Sequence, residues 1–92
     1  MLTLKTTGQF RKDYKLAKRR GLNLKELQSV IDRLLREEPL ADKYKDHALT
    51  GDYIGFRECH IHPDWLLIYI VDHGNLVLTA SRTGSHADLF GK

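Results

Sequence analysis

Arg57-Glu58-Cys59-His60-Ile61-His62-Pro63-Asp64-Trp65-Leu66-Leu67-Ile68-Tyr69-Ile70-Val71-Asp72-His73-Gly74-Asn75 is the stretch on which the reading of the fold turns. A strand is predicted from Ile54 to His62, with a turn at Pro63-Asp64. Trp65 to Val71 is apolar at odd and even positions alike, as a central strand buried on both faces must be. Asp72-His73-Gly74-Asn75 has the residues of a hairpin turn. Leu76 to Arg82 is the next strand. Gly84 breaks it, and Ser85 to Phe90 forms a short closing segment that periodicity does not assign.

Upstream the period changes. Leu2 and Leu4 alternate with Thr3 and Lys5, which predicts a short first strand. Phe10, Tyr14 and Ala17 fall at spacings of four and three, so a helix is predicted from about Thr7 to Arg20. Gly21 suits its C-terminal end. Asn23 and Glu26 have the spacing of a reciprocal N-terminal cap. Leu24, Leu27, Ile31 and Leu34 carry a second helix that must stop before Pro39. Two helices joined so tightly run antiparallel. Leu40 to Tyr53 is a long irregular connection, and such loops often carry function. The expected fold class is α+β: a short N-terminal strand, then two antiparallel helices packed on an antiparallel sheet.

Composition narrows the function classes. Ninety-two residues make a single domain, too short for a separate cofactor domain. No apolar run reaches the roughly 18 residues of a membrane span, and no signal peptide is read at Met1 to Phe10. The one cysteine, Cys59, cannot staple the fold, so a reducing cytoplasm is expected. Charge is asymmetric: residues 1–20 hold seven basic side chains against Asp13 alone, whereas the rest hold eight basic and eleven acidic. Arg11, Lys12, Lys15, Lys18, Arg19 and Arg20 make the first helix a polyanion-binding surface or a plain solvated face.

Polar residues gather at the predicted strand ends. Alternation places Glu58, His60 and His62 on one face and Arg57, Cys59 and Ile61 on the other. Cys59 and Ile61 suit the helix-covered core, so the histidine face should be the open one. His47 sits in the long loop; Arg82 and His86 flank the end of the last strand. Histidine exchanges a proton near neutral pH, with an ordinary pKa of about 6.5. Arginine offers a fixed fork to phosphate oxygens. Acid, base and phosphate clamp are what RNA cleavage through its own 2′-OH requires; neither metal nor protein nucleophile is needed. His60-x-His62 with Asp64 nearby is a weak zinc pattern, because Cys59 faces away; no metal and no cofactor are expected. Trp65 and Phe90 are either core residues or stacking surfaces for bases.

Four ordered motifs carry a family resemblance. They are Tyr44-Lys45-Asp46-His47-Ala48-Leu49-Thr50-Gly51, Phe56-Arg57-Glu58-Cys59-His60-Ile61, Pro63-Asp64-Trp65-Leu66-Leu67-Ile68-Tyr69 and Arg82-Thr83-Gly84-Ser85-His86-Ala87-Asp88-Leu89-Phe90-Gly91. Over about Gln9 to Gly91 the chain resembles the YafQ branch of the RelE/ParE toxins. The resemblance implies a RelE-like fold and a ribosome-dependent mRNA endonuclease cutting codons in the A site. It also implies a cognate antitoxin whose complex with the toxin represses the operon, so operator DNA is met only through that complex. Residue by residue, it assigns His47, His60, Asp64, Arg82 and His86 to catalysis, and Trp65 and Phe90 to substrate positioning. Our role assignment has His86 as acid, Asp64 or His60 as base, Arg82 on the phosphate and His47 assisting. Ser85 replaces a frequent threonine, Asp88 adds a negative charge near the site, and His62 has no family role. The basic first helix becomes a contact for ribosomal RNA. Two other readings use the same fold: a gyrase-directed ParE-like toxin, which needs no acid–base set, and an RNA-binding module that does not cut.

Overall fold

The two periodicities resolve into five strands and three helices in the computed structural model, which describes residues 1–91. In chain order they are β1 (Thr3–Thr6), α1 (Gly8–Arg19), α2 (Leu24–Leu35), β2 (His47–Ala48), β3 (Arg57–His62), β4 (Trp65–Asp72), β5 (Val77–Gly84) and α3 (His86–Phe90). The closing segment that periodicity left open is thus a helix. Ser85 and Asp88 cap it reciprocally: the Ser85 side chain accepts from the Asp88 N–H, and the Asp88 carboxylate accepts from the Ser85 N–H.

Local signals explain the helix ends. The Thr7 hydroxyl accepts from the Phe10 N–H at 2.9 Å and starts α1; such a cap stabilises by about 1 kcal/mol. At the other end Gly21 takes φ 75°. There the Leu22 and Gly21 N–H groups donate to the Ala17 and Lys18 carbonyls, both at 3.1 Å. Asn23 caps α2 through the Glu26 N–H. Glu26 does not return the bond; its carboxylate pairs with His62 instead, at 2.9 Å. Local spacing foresaw half of that cap, and a tertiary contact took the other half.

The sheet order is β1-β5-β4-β3-β2. The expectation of an antiparallel sheet holds from β2 to β5 and fails for β1, which runs parallel to β5. This direction sets Thr7, just past β1, beside Ala80 and Ser81 as α1 begins. The Thr7 N–H donates to Ala80 and its hydroxyl to the Ser81 carbonyl. Alternation within β1 carries no information about a partner more than seventy residues away. Two strand boundaries also move. Ile54 to Phe56 lies outside β3, behind a 3-10 turn at Gly51–Tyr53, and Ile54 is exposed. Leu76 belongs to the hairpin turn, with φ 55° and half its surface exposed.

β4 is the middle strand, and Leu66, Leu67 and Ile68 have no exposed surface. Its odd positions, Trp65, Leu67 and Tyr69, face the helices with Phe10, Ala17, Leu27, Val30, Ile31 and Leu34. Cys59 and Ile61 join this core, as alternation predicts. Tyr14 completes the α1 stripe only in part, at 38% exposure. The even positions, Leu66 and Ile68, build a second, thinner core with Leu89 of α3, edged by Leu49, Tyr53, Phe56 and Phe90. The histidine face is therefore partly covered, not open.

The hairpin turn gives a stability prediction. A leucine held in the left-handed region costs about 1–2 kcal/mol, and glycine returns about 0.5–1 kcal/mol of that as chain entropy. Leu76→Gly should raise stability by about 0.5–1 kcal/mol in urea unfolding. A lower midpoint would contradict the strain at this turn.

Candidate active site

Strand register lines the site up. His47 of β2 faces Glu58 of β3, Glu58 faces Ile68 of β4, and Ile68 faces Arg82 of β5. The next row is His60, Leu66 and Gly84. His86 follows at the start of α3. Residues from four strands and a helix, spread over forty positions of sequence, therefore share one side of the sheet.

The three imidazoles are neighbours, with His60 between the other two. The ring centroids of His47 and His60 are 6.2 Å apart, and those of His60 and His86 are 5.7 Å apart. Each ring has an oxygen partner that fixes one nitrogen. His47 Nδ1 donates to the Lys45 carbonyl at 2.6 Å, since a carbonyl can only accept. His60 Nε2 donates to Glu58 Oε1 at 3.1 Å. His47 Nε2 lies 3.6 Å from the same oxygen, an ion pair when that ring is protonated. His86 Nδ1 donates to Asp64 Oδ1 at 2.7 Å. Its Nε2 is then left for proton exchange.

The two carboxylates behind these rings differ. Glu58 is only 5% exposed and is shared by two histidines. Sequence reading placed it on the right face but gave it no role, because that face was expected to be open. Asp64 is exposed, and its Oδ1 also accepts from the His86 backbone N–H at 2.9 Å. That N–H, and then the imidazole, hold its carboxyl below the usual range. An ionised carboxylate so engaged orients His86; it is a poor proton acceptor.

Arg82 is held from behind. Its Nε and Nη2 donate to Asp13 at 2.8 and 3.3 Å. Asp13, 9% exposed, also accepts from the Thr83 N–H and Gln9 Nε2. The guanidinium is raised above its ordinary value chiefly by the Asp13 bond. Its other N–H groups bond nothing among the described residues. Sequence reading counted Asp13 as the lone acid of a basic helix. Its place three residues after Phe10 and four before Ala17, on the buried stripe, was the available signal.

Other expected residues sit elsewhere. Trp65 is 2% exposed, and its Nε1 donates to the buried Thr83 hydroxyl at 2.9 Å. It presents no ring face to solvent. His62 lies across a register shift from His60 and stacks on Trp65, with centroids 6.0 Å apart. The Nε2 atoms of His60 and His62 lie beside different carboxylates, Glu58 and Glu26. No group of three or more His, Cys, Asp or Glu among the described residues is set to hold a metal. Phe90 meets Tyr53 edge-on at 5.7 Å on the rim of the thin core. Burial pushes the Cys59 thiol up to about 12, so it is no nucleophile. On α1, Lys12, Lys15, Lys18 and Arg19 are exposed. Arg11 folds back onto Thr6, and Arg20 pairs with Asp88 at 2.6 Å. Asp88 thus draws one cation of the basic helix to α3.

The anchoring of α3 should be acid-sensitive. Asp88 is lowered by Arg20 first and then by the Ser85 N–H; Asp64 is lowered by the His86 N–H. Both folded values lie below the unfolded one, so their contribution is complete above about pH 4 and is lost as pH falls further. Amide exchange in α3 should accelerate below about pH 4 ahead of the β4 amides. Asp88→Asn should loosen α3 already at pH 7. Unchanged α3 protection in acid and in that variant would contradict this anchoring.

Comparisons with known proteins place the chain in a family. The family described as "Bacterial toxin of type II toxin-antitoxin system, YafQ" matches residues 2–91. The mRNA interferase toxin YafQ of Escherichia coli K12 is 42% identical over 86 residues, 92% of this chain and 91% of that one. The crystal structure of the Escherichia coli DinJ-YafQ complex superposes with a TM-score of 0.90 at 39% identity, covering 99% of this chain and 100% of that chain. A metal-bound toxin from Helicobacter pylori superposes with a TM-score of 0.93 at 47% identity, covering 98% and 100%. The chain belongs to the YafQ family of toxins of bacterial type II toxin–antitoxin systems.

Proposed function

We propose that this toxin is an endoribonuclease that cuts mRNA codons in the ribosomal A site, without metal, through attack of the 2′-OH on its neighbouring phosphate. One observation carries this: three imidazoles in a row, two of them backed by their own carboxylate, share a sheet face with a pre-oriented arginine. His60, its Nε2 spent on Glu58, takes the 2′-OH proton at Nδ1. His86, aimed by Asp64, gives a proton to the departing 5′-oxygen from Nε2. The free donors of Arg82 meet the charge that builds on the phosphate. His47, 3.6 Å from the same Glu58, assists at the far end. Phe90 borders the substrate. A 2′-O–P bond forms as the P–O5′ bond breaks, leaving a 2′,3′-cyclic phosphate and a 5′-hydroxyl, with one proton taken by His60 and one given by His86.

So small a site selects little by itself; the ribosome supplies orientation. Lys12, Lys15, Lys18 and Arg19 are the contacts for ribosomal RNA, so action should weaken as salt rises. Escherichia coli YafQ is an mRNA interferase and was crystallised with DinJ; by analogy, a cognate antitoxin neutralises this chain and with it represses the operon. The protein acts in the cytoplasm. The metal-bound Helicobacter pylori toxin favours a second reading, in which a cation assists the same chemistry.

Cleavage mapping on purified ribosomes carrying a defined mRNA decides between these. Wild type should cut within the A-site codon with and without EDTA, and cut naked RNA little. His86→Ala should lose about 100- to 10,000-fold. Cleavage abolished by EDTA would establish the metal reading. Intact mRNA together with gyrase-linked DNA breaks would overturn both.

A further inference from the structure

Beside the histidine row lies a pocket of about 380 Å³ that no step of the proposed reaction uses. Lys43 and Lys45 line it from the long loop, His60 and His62 from β3, and Glu26 from α2. It joins the reaction site through His60, which belongs to both. We infer that this pocket is a nucleotide subsite: a base of the mRNA next to the scissile bond stacks on His62, and its phosphate lies between Lys43 and Lys45. This rests on the endonuclease reading and extends it.

Three observations build the subsite. The His62 ring lies at 27° to the Trp65 indole, and its side chain remains 51% exposed. Trp65 is itself fixed by its bond to Thr83. The imidazole is thus a backed plane with a free side, which is what base stacking needs. Glu26 Oε2 lies 2.9 Å from His62 Nε2, an ion pair when that ring is protonated, so the pocket's one carboxylate stands at the edge of the imidazole and leaves its face free. The register shift between His60 and His62 breaks simple alternation. Such bulges re-aim side chains beside active sites.

The lysine side is equally set. Lys45 takes φ 48°, and its carbonyl is occupied by His47 Nδ1. The turn that aims a histidine of the row therefore also fixes where this ammonium group begins. Two ammonium groups, Lys43 and Lys45, against the single carboxylate of Glu26 leave the pocket net positive, which suits a phosphate. The shared His60 favours RNA over an acidic segment of a protein partner, because the occupant must continue into the site of strand scission.

The test is steady-state cleavage of mRNA-programmed ribosomes by the full chain. His62→Ala should raise KM about tenfold, with kcat within about twofold. His62→Phe keeps a plane, loses the Glu26 contact, and should restore KM. Lys43→Gln with Lys45→Gln should raise KM and lower the slope of log KM against log salt by about one. Far-UV dichroism and Tm confirm that each variant is folded. KM values unmoved in variants of a wild type that cuts would overturn the subsite and leave the reaction standing. Lost antitoxin affinity with unchanged KM would assign the pocket to protein contact instead. Failure of His62→Phe to rescue would overturn stacking. A wild type that cuts nothing would overturn the endonuclease reading first, and the subsite with it.

Discussion

Burial of β4 on both faces is the constraint from which the rest follows. Leu66, Leu67 and Ile68 have no exposed surface, so the sheet must be covered twice. Each such side chain stabilises by about 1.5–3 kcal/mol when buried. Two helices cover one face fully. The other receives only α3 and the 49–56 segment, whose Leu49, Tyr53, Phe56 and Phe90 are only partly buried. A chain of ninety-two residues has little more to spend there. The thin core ends where the histidine row begins, and the site is the part of that face which apolar cover does not reach.

A cluster of cations and imidazoles at such an edge is held together by carboxylates placed behind it. Glu58 is buried between His47 and His60, Asp64 stands behind His86, and Asp13 behind Arg82. Each carboxylate spends part of the site's positive charge and in return fixes an orientation. Arg82 keeps donors free because Asp13 takes only one edge of the guanidinium. The same logic runs through the 45–48 segment. Asp46 accepts from the Tyr69 hydroxyl at 2.6 Å and from Arg57 at 3.3 Å, and so pins the residue next to His47.

Much of this was legible in the sequence, and the losses have physical causes. Period two and period 3.6 are local, so β3, β4, β5, α1 and α2 could be read within a few residues of their ends. The direction of β1 was not legible, since its partner lies at the other end of the chain. The turn at Leu76 was missed because a leucine there breaks the residue preference for positive φ. Among site residues, motif likeness singled out His47, His60 and His86; strand register brings the first two together, and the start of α3 sets His86 beside His60. Trp65 is different: the motif marks it, yet it lies in the core and supports His62. Glu58 and Asp13 were passed over because their importance comes from burial, and a charged residue gives no sign of burial until its partners are in place.

In the proposed reaction His60 and His86, each backed by a carboxylate, divide the roles of base and acid. Single-turnover cleavage followed across pH separates the two: wild type should give a bell, His60→Ala should lose the acidic limb and His86→Ala the alkaline limb, each with a lowered maximum. The same bell, merely lowered, in both variants would overturn this division of roles.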